Sequence, residues 1–251
     1  MAESRSRWYL SSGLLLFFLT FCASLTAQVE PSGFSLGMPN GFIGGHVGLN
    51  VPSAGSDVFT MVTRELTLDK ADFRSPAFGF DIGAVFKSRY ALVFSLEYSN
   101  ASPESESRGF VEEDGSPIIQ STRLSQLPIT ATFRFYPRTI GETVGSYAWI
   151  PSRFLPYLAG GGGAVHFRFN QRGDFVDSQT LQIFPAHFRS GGFGATLHAA
   201  AGVDLGISTR FFANVEMRYS WAHADMTEGF DQFQPIDLSG LRLNGGLFFR
   251  F

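Results

Sequence analysis

The chain has 251 residues, with 19 Lys and Arg against 22 Asp and Glu, a net charge of −3. Charged residues make up only 16%, which excludes a nucleic-acid binder that works by electrostatics. Phe and Gly each number 28, a composition that suits an apolar exterior over a closely packed, bending backbone better than a soluble enzyme.

Residues 1–27 read as a secretory signal. Arg5 and Arg7 precede the short apolar run Leu14–Phe21, and Leu25–Ala27 offers a cleavage site before Gln28. The run is too short for a spanning helix. Cleavage would leave 17 basic and 21 acidic residues, a net charge of −4, and would remove Cys22, the sole cysteine. Bulky Phe21 before Cys22 argues against lipidation, and without Cys22 neither disulfide nor thiol chemistry is expected. Residues 28–39 form a short N-terminal segment, and the barrel is expected over 40–251.

From residue 41 the sequence alternates with period two, the signature of strands with one apolar face. Eight segments show it: 41–51, 78–87, 90–99, 126–136, 156–170, 192–207, 211–221 and 241–251. The first sets Ile43, Val47 and Leu49 against His46, Gly48 and Asn50. The second sets Phe78, Phe80 and Ile82 against Asp81, Gly83, Val85 and Lys87. In the fifth, Tyr157, Ala159, Val165, Phe167 and Phe169 form the apolar set against Ala164, His166, Arg168 and Asn170. Tight turns at 87–89 and 208–210 contrast with long connections at 52–74, 101–120, 171–190 and 223–237. Residues 137–153 lie on the turn side yet are long, and one helical turn is expected there.

The fold class expected is all-β, an eight-stranded antiparallel up-and-down transmembrane barrel, with turns at one end and loops at the other. A soluble barrel would put Lys and Glu on its outer, polar face. Here the polar face is sparse and rich in Gly, Ala, Ser and Thr, which suits a narrow lumen. The apolar face would meet lipid, with Tyr98, Tyr157, Phe169, Tyr219 and Trp221 near the interfaces. The lumen is then expected to hold Asp81, Glu97, Arg134, His166, Arg168, His198, Asp204, Glu216, Arg218 and Arg242, with Lys87 and Arg250. These form a paired polar network, because an unpaired buried charge is costly. The alternative use of the same groups is a narrow ion path.

The C-terminal "GGLFFRF" and the stretch "FLPYLAGGGGAVHF" resemble the small outer-membrane β-barrel family, which includes the OmpA-type and OmpW-type barrel domains. The resemblance covers about residues 40–251. It implies a Gram-negative type outer membrane reached through the cleaved signal, with lipid, lipopolysaccharide and the β-barrel assembly machinery as partners; the oligomeric state is left open, with a monomer expected. It further implies that Leu247, Phe249 and Phe251 form the C-terminal assembly signal. The chain stops at the barrel, so no peptidoglycan-binding domain is expected. The role expected is structural or surface-interactive, with the lumen plugged. The alternative is a narrow channel, or OmpW-like transport of small hydrophobic molecules, against which the polar or tiny inward residues argue.

Other candidates read more plainly. No cofactor, metal or catalytic group is expected. "SWAHAD" places Ser220, His223 and Asp225 at the rim with nothing to fix their geometry, and the His-x-Ser-Asn pattern of lipid A deacylases is missing. Paired inward histidines, His166 and His198, suggest hydrogen bonding inside the lumen before a metal site. "VEEDGS" at 111–116 reads as a solvated acidic run before a cation site, and Arg189 as a possible contact for lipopolysaccharide phosphates. Gly160–Gly163, without a following helix or Lys, read as close packing in the wall.

Overall fold

The computed structural model describes residues 37–112, 114–145, 148–177, 180, 182–227 and 229–251. The expected signal and most of the 28–39 segment lie outside these residues. Eight strands close a ring: β1 (Gly41–Pro52), β2 (Ser75–Phe86), β3 (Tyr90–Ala101), β5 (Pro117–Phe135), β8 (Phe154–Val176), β9 (Ile183–Gly206), β10 (Phe211–Ala224) and β12 (Gly240–Arg250). All pairings are antiparallel, and β12 returns to pair with β1.

The register proves the closure. Stepping from Phe80 through paired residues one way gives Leu96, Ile129, Ala164, Ala195 and His223. Stepping the other way gives Gly45, Leu247 and Ala213. The two routes meet β10 ten residues apart (223 − 213), the stagger that a closed ring of tilted strands requires. With no free edge in the ring, the wall's backbone groups are satisfied among the strands, which a lipid environment demands. The outside of that wall is apolar: Phe78, Phe94, Ile129, Leu158, Leu197 and Val215 are all more than half exposed. A belt of this kind on a closed barrel marks a membrane-spanning protein.

The turn end is tight except at one place. In the loop Lys87–Arg89, Lys87 and Ser88 both have positive φ (51° and 55°), which matches the strand twist as the primed hairpin turns do. Residues 137–153 do not form the expected helical turn. They fold into a separate hairpin, β6 (Gly141–Val144) with β7 (Ala148–Pro151), and it buries Trp149 against the end of the barrel. At the loop end, connection 52–74 carries helix α1 (Asp57–Glu65) and a short 3₁₀ turn, Lys70–Phe73. The next connection adds β4 (Glu104–Val111) beside β5, and the last adds β11 (Ile236–Asp237) beside β10. The stretch 171–190 is not mainly loop, because β8 and β9 stay paired as far as Val176 and Ile183.

Gly163 shows how closely the wall packs. A Cβ there would collide with the carbonyl oxygen of Ile129 and lie 2.9 Å from Thr130 Cα, both backbone atoms of β5. Gly163→Ala is therefore expected to lower stability by roughly 1–3 kcal/mol, read as an earlier midpoint in urea unfolding of the refolded barrel. An unchanged midpoint would mean that β5 and β8 can move apart freely.

Candidate functional site in the barrel lumen

Alternation points every second residue inward, and seven of the eight strands carry their expected inward set. Asp81, Glu97, Arg134, His198, Asp204, Glu216, Arg218, Arg242 and Arg250 are all buried. At mid-barrel they form two linked clusters. In the first, His46 sits between two carboxylates, with Nδ1 3.3 Å from Asp81 Oδ2 and Nε2 3.1 Å from Glu97 Oε2. Asn244 donates to Glu97 Oε2 (3.0 Å), and Arg242 Nε lies 3.0 Å from Glu97 Oε1 as an ion pair without in-line hydrogen-bond geometry. Arg242 also donates to Gln126 Oε1 (2.8 Å) and Ser220 Oγ (3.2 Å).

The second cluster centres on Glu216. Arg218 approaches Oε1 at 2.7 Å, while Arg134 (3.1 Å) and the Tyr157 hydroxyl (2.7 Å) share Oε2. Asn214 donates to Tyr157 (2.9 Å) and to Asp204 (2.7 Å), and Tyr136 donates to the other Asp204 oxygen (2.9 Å). His198 lies 2.9 Å from Thr132 Oγ1. Leaving aside Asp237 in the loop-end cap, four buried arginines (134, 218, 242 and 250) face four buried carboxylates (81, 97, 204 and 216) among the described residues, so this layer balances its formal charge before His46 is counted.

Apolar plugs close both ends of this layer. At the loop end α1 turns Val58, Phe59 and Val62 inward, fully buried, and leaves Thr60, Arg64 and Glu65 to solvent. Phe59 meets the rings of Phe73 (5.0 Å) and Phe169 (6.0 Å), and Phe169 meets Phe230 (5.3 Å), all near right angles. Hydrogen bonds hold α1 down. Asp57 accepts from Gln234 N (3.0 Å), Asp237 accepts from Gly55 N (3.0 Å), and Arg108 donates to the Leu66 carbonyl (2.6 Å). At the turn end Phe212 and Phe248 stack at 5.0 Å, with Phe42 edge-on to both. Arg250 lies 4.3 Å over Phe212 and Arg134 4.6 Å over Tyr157. A cavity of about 10 Å³ between Phe42, Tyr136, Asp204 and Arg250 has room for one water.

Three expectations about the lumen need correction. His166 and Arg168 face outward, because β8 carries the opposite phase: Val165, Phe167 and Phe169 are buried, while Arg168 is exposed. His166 lies outside against Phe193 (4.7 Å), so it does not share a face with His198. Tyr157 and Phe169 are therefore lumen residues, not interfacial aromatics. Lys87 sits exposed in its turn. Sequence reasoning left His46, Tyr136, Asn214 and Asn244 out of the network. His46 stands on the expected inward face, and Gly79 lies opposite it, where a Cβ would strike the imidazole.

The remaining candidates are placed as follows. Ser220 points inward to Arg242, while His223 and Asp225 are exposed, so the three do not converge. In the acidic loop Asp114 is taken up by Ser116, accepting from its N (2.9 Å) and Oγ (2.6 Å), and these bonds hold the Asp114 carboxyl below its usual pKa. Among the described residues no group of three metal-ligating side chains comes together. Leu247 is exposed on the outer wall, Phe249 meets Phe211 (5.3 Å), and the Phe251 backbone bonds with Gly41 across the closing seam.

No family model and no curated protein matches this chain. Solved structures do. The chain is similar to small outer-membrane β-barrel proteins. Outer membrane protein OprG of Pseudomonas aeruginosa is 15% identical with a TM-score of 0.48, over 88% of this chain and 99% of that one. Ail of Yersinia pestis is 16% identical with a TM-score of 0.40, over 85% and 100%. The N-terminal β-barrel domain of P. aeruginosa OprF is 13% identical with a TM-score of 0.36, over 85% and 98%.

Proposed function

We propose that this protein is an integral outer-membrane barrel with a structural or surface-interaction role and a lumen closed to solutes. Residues 1–27 act as its cleaved export signal, 28–39 as a short lead, and 40–251 as the barrel. The turn end faces the periplasm and the loop end the exterior. Leu247, Phe249 and Phe251 on the closing strand serve the assembly machinery. The observation that carries the closed lumen is the charge-balanced layer around Glu97 and Glu216, capped by α1 on one side and by Phe212 and Phe248 on the other. Eight strands leave room for little beyond side chains, and here side chains take that room. The unassembled Ser220, His223 and Asp225 support a non-catalytic role.

The exposed functional surface is then the loop end, built from α1, the β4–β5 hairpin and the projecting β8–β9 hairpin. Proteoliposome swelling tests the closed lumen. Liposomes carrying the folded protein are expected to take up a small sugar no faster than empty ones. Uptake that rises with protein density would favour the transport reading instead.

A further inference from the structure

At the turn end the outer face of β2, β3 and β5 carries four aromatic rings in contact. Phe86 stacks on Tyr90 at 5.8 Å, Tyr90 meets Phe133 and Phe135 at 5.6 Å each, and Phe86 meets Phe133 at 6.0 Å. They close the outward row at the strand ends: Phe86 ends β2, Tyr90 opens β3 and Phe135 ends β5. Aromatic rings at the end of an apolar belt sit at the level of lipid headgroups. Just beyond them stand three exposed cations, Lys87, Arg89 and Arg138. Backbone bonds draw them together. Tyr136 N donates to the Arg89 carbonyl (2.8 Å) and Ile140 N to the Ser88 carbonyl (2.9 Å), so Arg138 lies in the span that runs alongside the Lys87–Arg89 turn. Residues 86–90 and 133–141 contain no Asp or Glu, whereas the loop-end connection 101–120 has five acidic residues and one basic. Lys87 holds a left-handed turn position (φ 51°) that Asn or Gly takes with least strain, so the turn's backbone does not call for a lysine.

Three cations above an aromatic platform fit one kind of ligand. Lys and Arg pair with phosphate oxygens through charge-assisted hydrogen bonds. A soluble anion would leave the rings unused. Below the rings the exposed side chains of Leu92 and Phe94 continue the outward row on β3, a surface for acyl chains. We propose that this corner is a selective site for an anionic phospholipid in the leaflet at the turn end, its phosphate held by Lys87, Arg89 and Arg138 and its chains lying over Tyr90, Leu92 and Phe94. Lipid surrounds any membrane barrel; this site selects by headgroup charge and on one side of the membrane. The proposal rests on the membrane-spanning reading given above.

The test uses the protein refolded into phosphatidylcholine nanodiscs doped with phosphatidylglycerol or, separately, with phosphatidylethanolamine, and native mass spectrometry to count retained lipid. Each basic group at the membrane surface favours an anionic lipid by about fivefold, so the wild type is expected to retain phosphatidylglycerol over phosphatidylethanolamine by roughly a hundredfold. The variant K87N/R89S/R138S, altered only at exposed positions and with an Asn that suits the left-handed turn, is expected to fold and to lose at least about tenfold of that preference. R64S/R74S/R172S, which removes three exposed arginines at the loop end, should keep it. Equal retention of both lipids by the wild type would overturn the proposal, as would a preference that survives in K87N/R89S/R138S or falls as far in the loop-end variant. So would occupation of the three cations by added inorganic phosphate or hexaglutamate that phosphatidylglycerol does not displace, which would assign them to a soluble anion. The heat-modifiable gel shift of a folded barrel runs alongside. If the triple variant fails to show it, R89S/R138S, which leaves Lys87 and Ser88 in the turn, is read in its place and should lose at least about fivefold. Absence of the shift in the wild type would overturn the membrane reading and this proposal with it; a normal shift without lipid preference would overturn this proposal alone.

Discussion

Arg134→Ala is expected to lower the unfolding free energy by about 3–5 kcal/mol, the cost of stranding a buried charge partner. Arg134 is among the largest fully buried side chains in the protein. It pairs with Glu216 at 3.1 Å and covers the Tyr157 ring at 4.6 Å. Truncation would leave Glu216 with Arg218 and Tyr157 alone, and would open a void beneath a layer that has almost none. The double variant Arg134→Met/Glu216→Gln should recover much of the loss, because it removes both charges and keeps most of the volume. Urea titration in lipid vesicles, followed by tryptophan fluorescence and by the gel shift, measures both. A loss below about 0.5 kcal/mol for the single variant would mean that water reaches Glu216, and the closed lumen would fail.

Phe59→Ala is expected to destabilise the loop-end cap by about 3–5 kcal/mol, the usual cost of deleting a buried aromatic ring. Phe59 is fully buried, and it is the residue of α1 that meets both Phe73 and Phe169. A nine-residue helix is too short to hold itself together in water, so its packing is what keeps it folded. Amide exchange across Val58–Val62 should therefore quicken by roughly 10²- to 10⁴-fold. Arg64→Ala, on the exposed face of the same helix, should stay within about 0.5 kcal/mol of the wild type. The mid-barrel layer has its own partners, so Phe59→Ala and Arg134→Ala should add. Unchanged exchange in Phe59→Ala would show that the cap is held by its hydrogen bonds to the neighbouring loops and not by its apolar face.

Much of the wall was legible because lipid and lumen impose a period of two on all eight segments, and the sparse, small-residue polar face separates it from a soluble barrel. The exception, β8, is instructive. The alternation Phe167-Arg168-Phe169 reads as apolar outward only while the strand is in lipid. β8 runs to Val176, past the belt, and there the outside is polar while the inside is the core around α1. The rule for facing therefore inverts along one strand, and the sequence carries no mark of where. The hairpin at 141–151 escaped for a similar reason: its strands are four residues each, and Trp149 finds its partners only in the assembled barrel. His46 stood on the expected inward face, but a single histidine among glycines gives no hint of the two carboxylates that β2 and β3 bring to it.

The closed lumen is the centre of this account, and single-channel recording in a planar bilayer tests it most directly. With the gel shift confirming folded protein in the membrane, the account predicts a silent trace at every applied voltage. Reproducible conductance steps from the wild-type protein would mean that water passes the layer around Glu97 and Glu216, and would contradict it.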